Sequence, residues 1–545
     1  MRFTPKKYIV LLIFIFAISS NFAQETFTRK DSLQGGLRYE RTCFDVLRYD
    51  LNIKIDIDKK YIVGYNQIFF TITSKKTKKI QLDLYANMQI DSIVWDQKKL
   101  NYKREFNAVF VEFPAYLTLK SENSLKFYYS GNPQIAKRAP WDGGFVFAKD
   151  SNNKDFVGVA CQGAGASLWF PCKDSQSDEP NDGATISIEA PTGLTAVSNG
   201  RLLNFTNKQN GFTRWDWQVK NPINAYDITV NIADYVHFGE NYKGLDLDYY
   251  VLRENESKAK VQFEQVKPMM DCFQSKFSEY PFKNDSYKLV ETPFLGMEHQ
   301  SAVAYGNKYQ NGYLNSDLSG TGIGLTFDFI IIHESGHEWF GNSITSKDIA
   351  DMWIHESFTT YSEAVFIECQ LGKQKSLDYL FGLQKNVQND KPIIGPYGVN
   401  KEGSGDMYPK GALMLNTIRS IVNDDDKWYR ILYKYATTFR YKIIDSQTVI
   451  NYFNKELELN LSPIFDQYLK YKNIPKLELT IKKRKLSYKW ITDVANFEMP
   501  IDIKVKGNLV RITPKKDFQE LDIKIKNLKD IEILNDRYFI DVLNK

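Results

Sequence analysis

Residues 327–337 read Phe-Asp-Phe-Ile-Ile-Ile-His-Glu-Ser-Gly-His, and few stretches leave a chain so little choice. The apolar lead-in demands a buried helix, yet His333, Glu334 and His337 place three polar groups on it. Buried polar groups without a partner cost several kcal/mol, so this helix needs a strong partner for them. His333 and His337 are four apart, so both imidazoles leave a helix by one face and can share one metal ion. Glu334, beside the first of them, is placed to take a proton from a water that such a metal activates. Glu356 follows His337 by 19 residues, on what reads as the next helix, and offers a third ligand. Two His and one carboxylate leave a fourth position open, the pattern of a catalytic rather than a structural zinc, so one Zn2+ per chain is expected. The bland alternative is a helix carrying two surface histidines. It sits badly with the apolar flank and with the clustering of four of the chain's 5 His (299, 333, 337 and 355) in this region.

A chain of 545 residues is too long for one core and should divide into several domains. Residues 1–24 stand apart: Arg2, Lys6 and Lys7 precede the apolar run Tyr8 to Ile18, and a cut after Ala23 is expected, as in an export signal. The run is short for a membrane span, so a secreted or periplasmic protein is expected, anchored only if the signal is left uncut. Three of the 71 basic residues fall in that segment, leaving 68 against 66 acidic ones. So even a balance gives no case for nucleic-acid binding, and no stable membrane partner beyond the signal is expected. Five scattered cysteines (43, 161, 172, 272, 369) form no disulfide framework. They read as small buried residues, with a Cys161–Cys172 bridge the one pairing that an oxidising compartment suggests.

From about 45 to 240 apolar residues alternate, as in Leu51, Ile53, Ile55 and Ile57, with period-two runs again at 67–73 and 185–189. From about 256 the spacing turns helical (Val261, Phe263, Val266, Met269, Met270, Phe273, Phe277) and stays so through 411–423, 426–438 and 446–471. Alternating strands return after Pro475. The expected architecture is multidomain α+β: a signal at 1–24, an N-terminal β-saddle or sandwich at 25–245, a mixed α/β zinc domain at 246–473 and a small β-sandwich at 474–545.

With His333-Glu334-x-x-His337-x-Trp339-x-Gly341-Asn342 and Glu356, the chain resembles the M1 family of zinc aminopeptidases, whose catalytic domain is thermolysin-like. Gly296-Met297-Glu298-His299-Gln300 looks like a variant of the family's Gly-Ala-Met-Glu-Asn exopeptidase motif, and Tyr408-x-Lys410-Gly411-Ala412 like the segment that carries its catalytic tyrosine. Ala160-Cys161-Gln162, with Phe170-Pro171-Cys172-Lys173-Asp174 beyond, resembles the loop supplying a second amine-binding residue. The resemblance implies a peptidase that acts on peptides with a free N-terminus. Glu334 is then general base, Tyr408 donor to the oxyanion, and Glu298 with Gln162 the pair that reads the substrate's α-ammonium. Tyr305 is expected to line the cleft, and Glu363, seven residues after Glu356, to accept from a ligand imidazole. His299 and Gln300 stand where the family has Asn, and Ser357 and Ser343 depart from its usual residues. An endopeptidase, or an epoxide hydrolase like the leukotriene A4 hydrolase relatives, remains an alternative on the same metal, and a non-catalytic scaffold is disfavoured because every expected catalytic residue is present.

Overall fold

The computed structural model describes residues 26–545, and the segment read as an export signal lies outside them. The N-terminal half is built on an eight-stranded sheet. Its central strand, Phe44–Asp56, pairs antiparallel with Tyr61–Ile72 and parallel with Ala184–Pro191. Period-two alternation sends Leu51, Ile53 and Ile55 to one face, where they are buried, while Asn52, Lys54 and Asp56 stay partly exposed on the other. A three-stranded and a four-stranded sheet close over that core. The four-stranded sheet includes Asp155–Ala160, and the loop that leaves this strand carries Gln162.

The second half opens with a five-stranded sheet in the order Tyr235–Tyr242, Leu245–Leu252, Tyr287–Glu291, Val303–Tyr305, Gly296–Met297. Its first hairpin straddles the 245/246 boundary expected from the sequence, because Val236, Phe238 and Tyr242 pack on the core of the second half rather than on the N-terminal one. The two-residue edge strand Gly296–Met297 runs antiparallel to Val303–Tyr305 and so ends with Glu298 at the cleft.

Helices fill the rest, chiefly Val266–Lys276, Phe329–Gly336, Trp353–Leu371 and Pro409–Val422. The helical stretch expected over 446–471 is two helices, Ser446–Leu457 and Ser462–Lys470. Glu458 takes a left-handed conformation (φ 56°) that ends the first, and Pro463 sits in the first turn of the second. The C-terminal residues form a four-stranded and a three-stranded sheet whose apolar face is continuous with the core of the second half. Thr417 Oγ1 accepts from Phe539 N (3.0 Å) and the Tyr468 hydroxyl donates to Phe539 O (2.6 Å), which pins that unit to the helices. Among the described residues no helix is long and apolar enough to cross a membrane.

The cysteines depart from expectation. Cys161 and Cys172 are buried and free, as is Cys43, whereas Cys272 and Cys369 are joined across a Cα–Cα distance of 6.0 Å. The bridge staples Val266–Lys276 to the end of Trp353–Leu371, and 97 residues separate its ends. A partner so remote in sequence gives no spacing signal. Cross-links that close long loops remove much freedom from the unfolded chain, so Cys369→Ser should destabilise the protein by about 2–4 kcal/mol. The non-reducing urea midpoint measures this; a midpoint equal to native would mean the two helices need no staple.

Candidate active site

The first two candidate metal ligands, His333 and His337, leave one short helix. Asp328 caps Phe329–Gly336, its carboxylate accepting from Ile330 N (3.1 Å) and Ile331 N (3.3 Å). The helix stops at His337 because Gly341 turns the chain with φ 134°, a conformation that suits glycine. A Cβ there would lie 3.1 Å from His337 Nδ1, a tight contact that would press on the imidazole. The turn also carries Phe340 O to within 2.9 Å of His337 Nδ1. The Trp339 indole donates to Ser278 O (3.1 Å), and Asn342 Nδ2 donates to Glu298 O (2.7 Å). Each fixed residue of the motif thus has a structural task, and the last ties the zinc segment to the acid at the cleft.

Glu356, on Trp353–Leu371, completes the set. Its Oε2 lies 3.4 Å from His337 Nε2 and 3.8 Å from His333 Nε2, buried and without a hydrogen-bond partner. His333 Nδ1 donates to Glu363 Oε1 (2.7 Å), whose other oxygen accepts from the Tyr379 hydroxyl (2.5 Å). Because Glu363 and Phe340 O accept, both imidazoles carry their proton on Nδ1 and aim a bare Nε2 at one point. Zinc bonds of about 2.0–2.1 Å at tetrahedral angles give ligand separations of about 3.4 Å. The residues therefore fit zinc, and an orphaned buried carboxylate oxygen facing two bare nitrogens is the chemistry it satisfies. Glu298, Glu334 and His337 also offer ligand atoms within 4.8 Å of one another. The first set is the better metal site, because Glu298 already accepts from the Gln162 side-chain amide and from the Tyr226 hydroxyl (3.3 Å).

Glu334 is half-buried, with its carboxylate between the edge strand and His337. A Cβ on Gly296 would meet its Oε1 at 2.7 Å and Ile330 Cγ2 at 2.9 Å. Burial raises the Glu334 carboxyl to about 7, Glu298 and Glu356 adding to it and the imidazoles opposing. That suits a group which must take up and return a proton near neutrality. Gly296→Ala should therefore push the carboxylate aside and lower kcat about 100-fold while bound metal is unchanged; native kcat in that variant would show Glu334 free to relocate. Tyr408 stacks beside His333 with ring centroids 6.1 Å apart. Burial first, then Glu356, Glu402 and Glu298, raise its hydroxyl well above the ordinary phenol, so it is a neutral donor.

Two cavities meet at this point. One of about 310 Å³ is lined by Gln162, Met297, Glu298, all three metal ligands and Tyr408; one of about 550 Å³ runs past His333 and Glu334 along Leu295, Tyr313, Phe329 and Leu383. Gly296, Pro140 and Trp141 border both. Tyr305, expected in the cleft, lines neither. It is fully buried, its hydroxyl donating to Asp328 Oδ2 (2.7 Å), and so braces the cap of the zinc helix. His299 and Gln300 also stay out of the cleft: His299 is buried with neither nitrogen bonded, and Gln300 Nε2 donates to Pro222 O (2.9 Å). Ser357 has a reason to depart from glycine, since its hydroxyl donates to Met407 O (2.7 Å) and ties the third ligand's helix to the Tyr408 segment. Sequence reasoning missed Tyr226, Trp141 and Glu402, which sit on segments without periodicity or motif.

Comparison with known proteins agrees with this geometry. The Peptidase family M1 domain matches residues 261–468 and the Peptidase M1 N-terminal domain residues 46–226. Endoplasmic reticulum aminopeptidase 1 of Mus musculus is 24% identical over 302 residues, 52% of this chain and 32% of that protein. Leucyl aminopeptidase of Saccharolobus solfataricus is 21% identical over 384 residues, 66% of this chain and 48% of that protein. The chain thus spans a third to a half of these relatives. An M1 zinc metallopeptidase from Deinococcus radiodurans superposes with a TM-score of 0.66 at 17% identity, covering 81% of this chain and 95% of that one. A mutant of it bound to a Tyr-Ser-Ala substrate gives 0.67, covering 79% and 95%. At that identity the likeness is one of fold.

Proposed function

The chain belongs to peptidase family M1, and from that premise we propose that it is a zinc aminopeptidase, releasing single residues from the free N-termini of peptides. The observation that carries this is Glu298. Its carboxylate, on a residue 2% exposed, lines the smaller cavity within 4.8 Å of Glu334 and His337 ligand atoms. One residue of extended chain spans about 3.3–3.6 Å, so an ammonium held at Glu298 brings the first carbonyl, not the second, to the metal site.

Zinc held by His333, His337 and Glu356 supplies a Lewis acid that polarises a carbonyl and acidifies water. Glu334 accepts the proton of the attacking water and later returns it to the departing amine. The Tyr408 hydroxyl donates to the oxygen that gains charge, a contribution typically of about 3 kcal/mol. Gln162 and Tyr226 hold Glu298 in place, and the larger apolar cavity accepts the rest of the peptide. The test is to offer the enzyme one peptide with a free and with an acetylated N-terminus and to follow the products. Stepwise release of single residues from the free form alone is expected; internal cuts in the acetylated one would make the protein an endopeptidase.

Export into an oxidising compartment is part of the same reading. The basic and apolar pattern of residues 1–24 supports it, as does the Cys272–Cys369 bridge. N-terminal sequencing of protein recovered outside the cytoplasm, starting near residue 24, is the expected result.

A further inference from the structure

On the reading that Glu298 takes the α-ammonium, the smaller cavity that it lines holds the side chain of the first residue. Its wall carries acids and no lysine or arginine. Four of those acids have work already: Glu298 accepts from Gln162 and Tyr226, Glu356 faces the two imidazoles, and Glu334 is the base. Asp142 accepts from the backbone N–H groups of Lys137 (2.8 Å) and Arg138 (2.9 and 3.0 Å), closing its own loop. Glu402 has no such task. Among the described residues nothing donates a hydrogen bond to its carboxylate and no cation lies within ion-pair distance of it, although the residue is half-buried. Burial, then the nearby charges of Glu356 and Glu298, push it up to about 7, with the more distant charge of Lys391 opposing. A carboxylate in that state gains most from a cation brought to it.

The segment that carries Glu402 is held in place. The carboxylate Oε1 stands 3.5 Å from where a Cβ on Gly163 would be, so it faces the loop that carries Gln162. Asn400 Nδ2 donates to Gly163 O (2.9 Å), Gly398 N to Asp348 Oδ2 (2.9 Å) and the Tyr397 hydroxyl to Asp351 Oδ1 (2.7 Å), which anchor the Glu402 segment on both halves of the molecule. At the rim of the same cavity stands Trp141, 66% exposed, an aromatic face with no partner ring among the described residues.

The geometry points to a first-residue pocket built for a long cationic side chain, with Glu402 pairing its charge and Trp141 stacking against its plane, so that arginine is preferred over lysine and both over neutral residues. This inference rests on the aminopeptidase reading and names its substrate class. A planar guanidinium can satisfy a carboxylate and lie on an indole at once, whereas an ammonium offers a point charge. A neutral side chain such as that of norleucine fills the same space and leaves Glu402 unpaired.

The test is a panel of arginyl, lysyl, norleucyl and alanyl fluorogenic amides with the full-length zinc enzyme. The native protein should show its highest kcat/KM on arginine. Glu402→Gln should lower the ratio of arginine to norleucine roughly 10- to 100-fold. Glu402→Asp should recover part of that ratio, and Trp141→Ala should narrow the gap between arginine and lysine. Native enzyme that shows no preference for basic residues would overturn the proposal, and so would a Glu402→Gln variant that loses rate equally on all four, which would place Glu402 at the α-ammonium. Absence of hydrolysis of every amide by zinc-loaded enzyme would instead sink the aminopeptidase reading beneath it.

Discussion

Glu334→Gln is expected to retain zinc and to lose roughly 10³- to 10⁴-fold in kcat, with little change in KM. The three ligating side chains are His333, His337 and Glu356, and the substitution touches none of them. Glutamine keeps the volume that Gly296 and Ile330 leave for this side chain, so the local packing should survive. What goes is the capacity to hold a proton, and both halves of the reaction need it. Without a base the attacking water must ionise unaided, and without the returned proton the amine leaves as an anion. Metal content per chain and single-turnover rates on one aminoacyl substrate measure the two effects separately. Loss of zinc along with activity would make Glu334 a ligand and would move the metal toward the second cluster, with Glu298 and His337.

How far the site is legible before folding depends on how its residues are spaced. His333 and His337 share one helix face with Glu334 beside the first, and a spacing of four is a statement about geometry that the chain itself makes. Glu363 is legible for the same reason, two turns beyond Glu356, and it does meet His333. The β-rich first half is legible because alternation of buried and exposed residues is its own period, as at Leu51, Ile53 and Ile55. Tyr305 shows where this kind of reading ends. A tyrosine near a cleft can face the substrate or buttress the wall behind it, and only the position of Asp328 decides between them. The Cys272–Cys369 bridge and the wall made by Trp141, Gln162 and Glu402 join segments far apart in sequence, where no period runs and the fold alone sets the distance.

Glu298→Ala tests the function most directly, because it separates two things that the metal site cannot: cutting a peptide and choosing where to cut it. The carboxylate is buried, and a substrate ammonium that enters its pocket gives up water and must regain that loss from Glu298 and its neighbours. Removing the acid leaves Gln162 and the Tyr226 hydroxyl facing a cation with nothing to neutralise it. Cleavage of substrates with a free N-terminus should fall by 100-fold or more in kcat/KM, while zinc content stays as in the native protein because no metal ligand changes. Acetylated peptides carry no charge to pair, so they gain nothing from Glu298 in the native enzyme and lose little in the variant. The ratio of rates on free and acetylated forms of one peptide should therefore collapse toward unity in Glu298→Ala. A ratio that stays at its native value while both rates fall would show that the Glu298 side chain only shapes the site, through its contacts with Gln162 and Tyr226, and that the ammonium is read elsewhere.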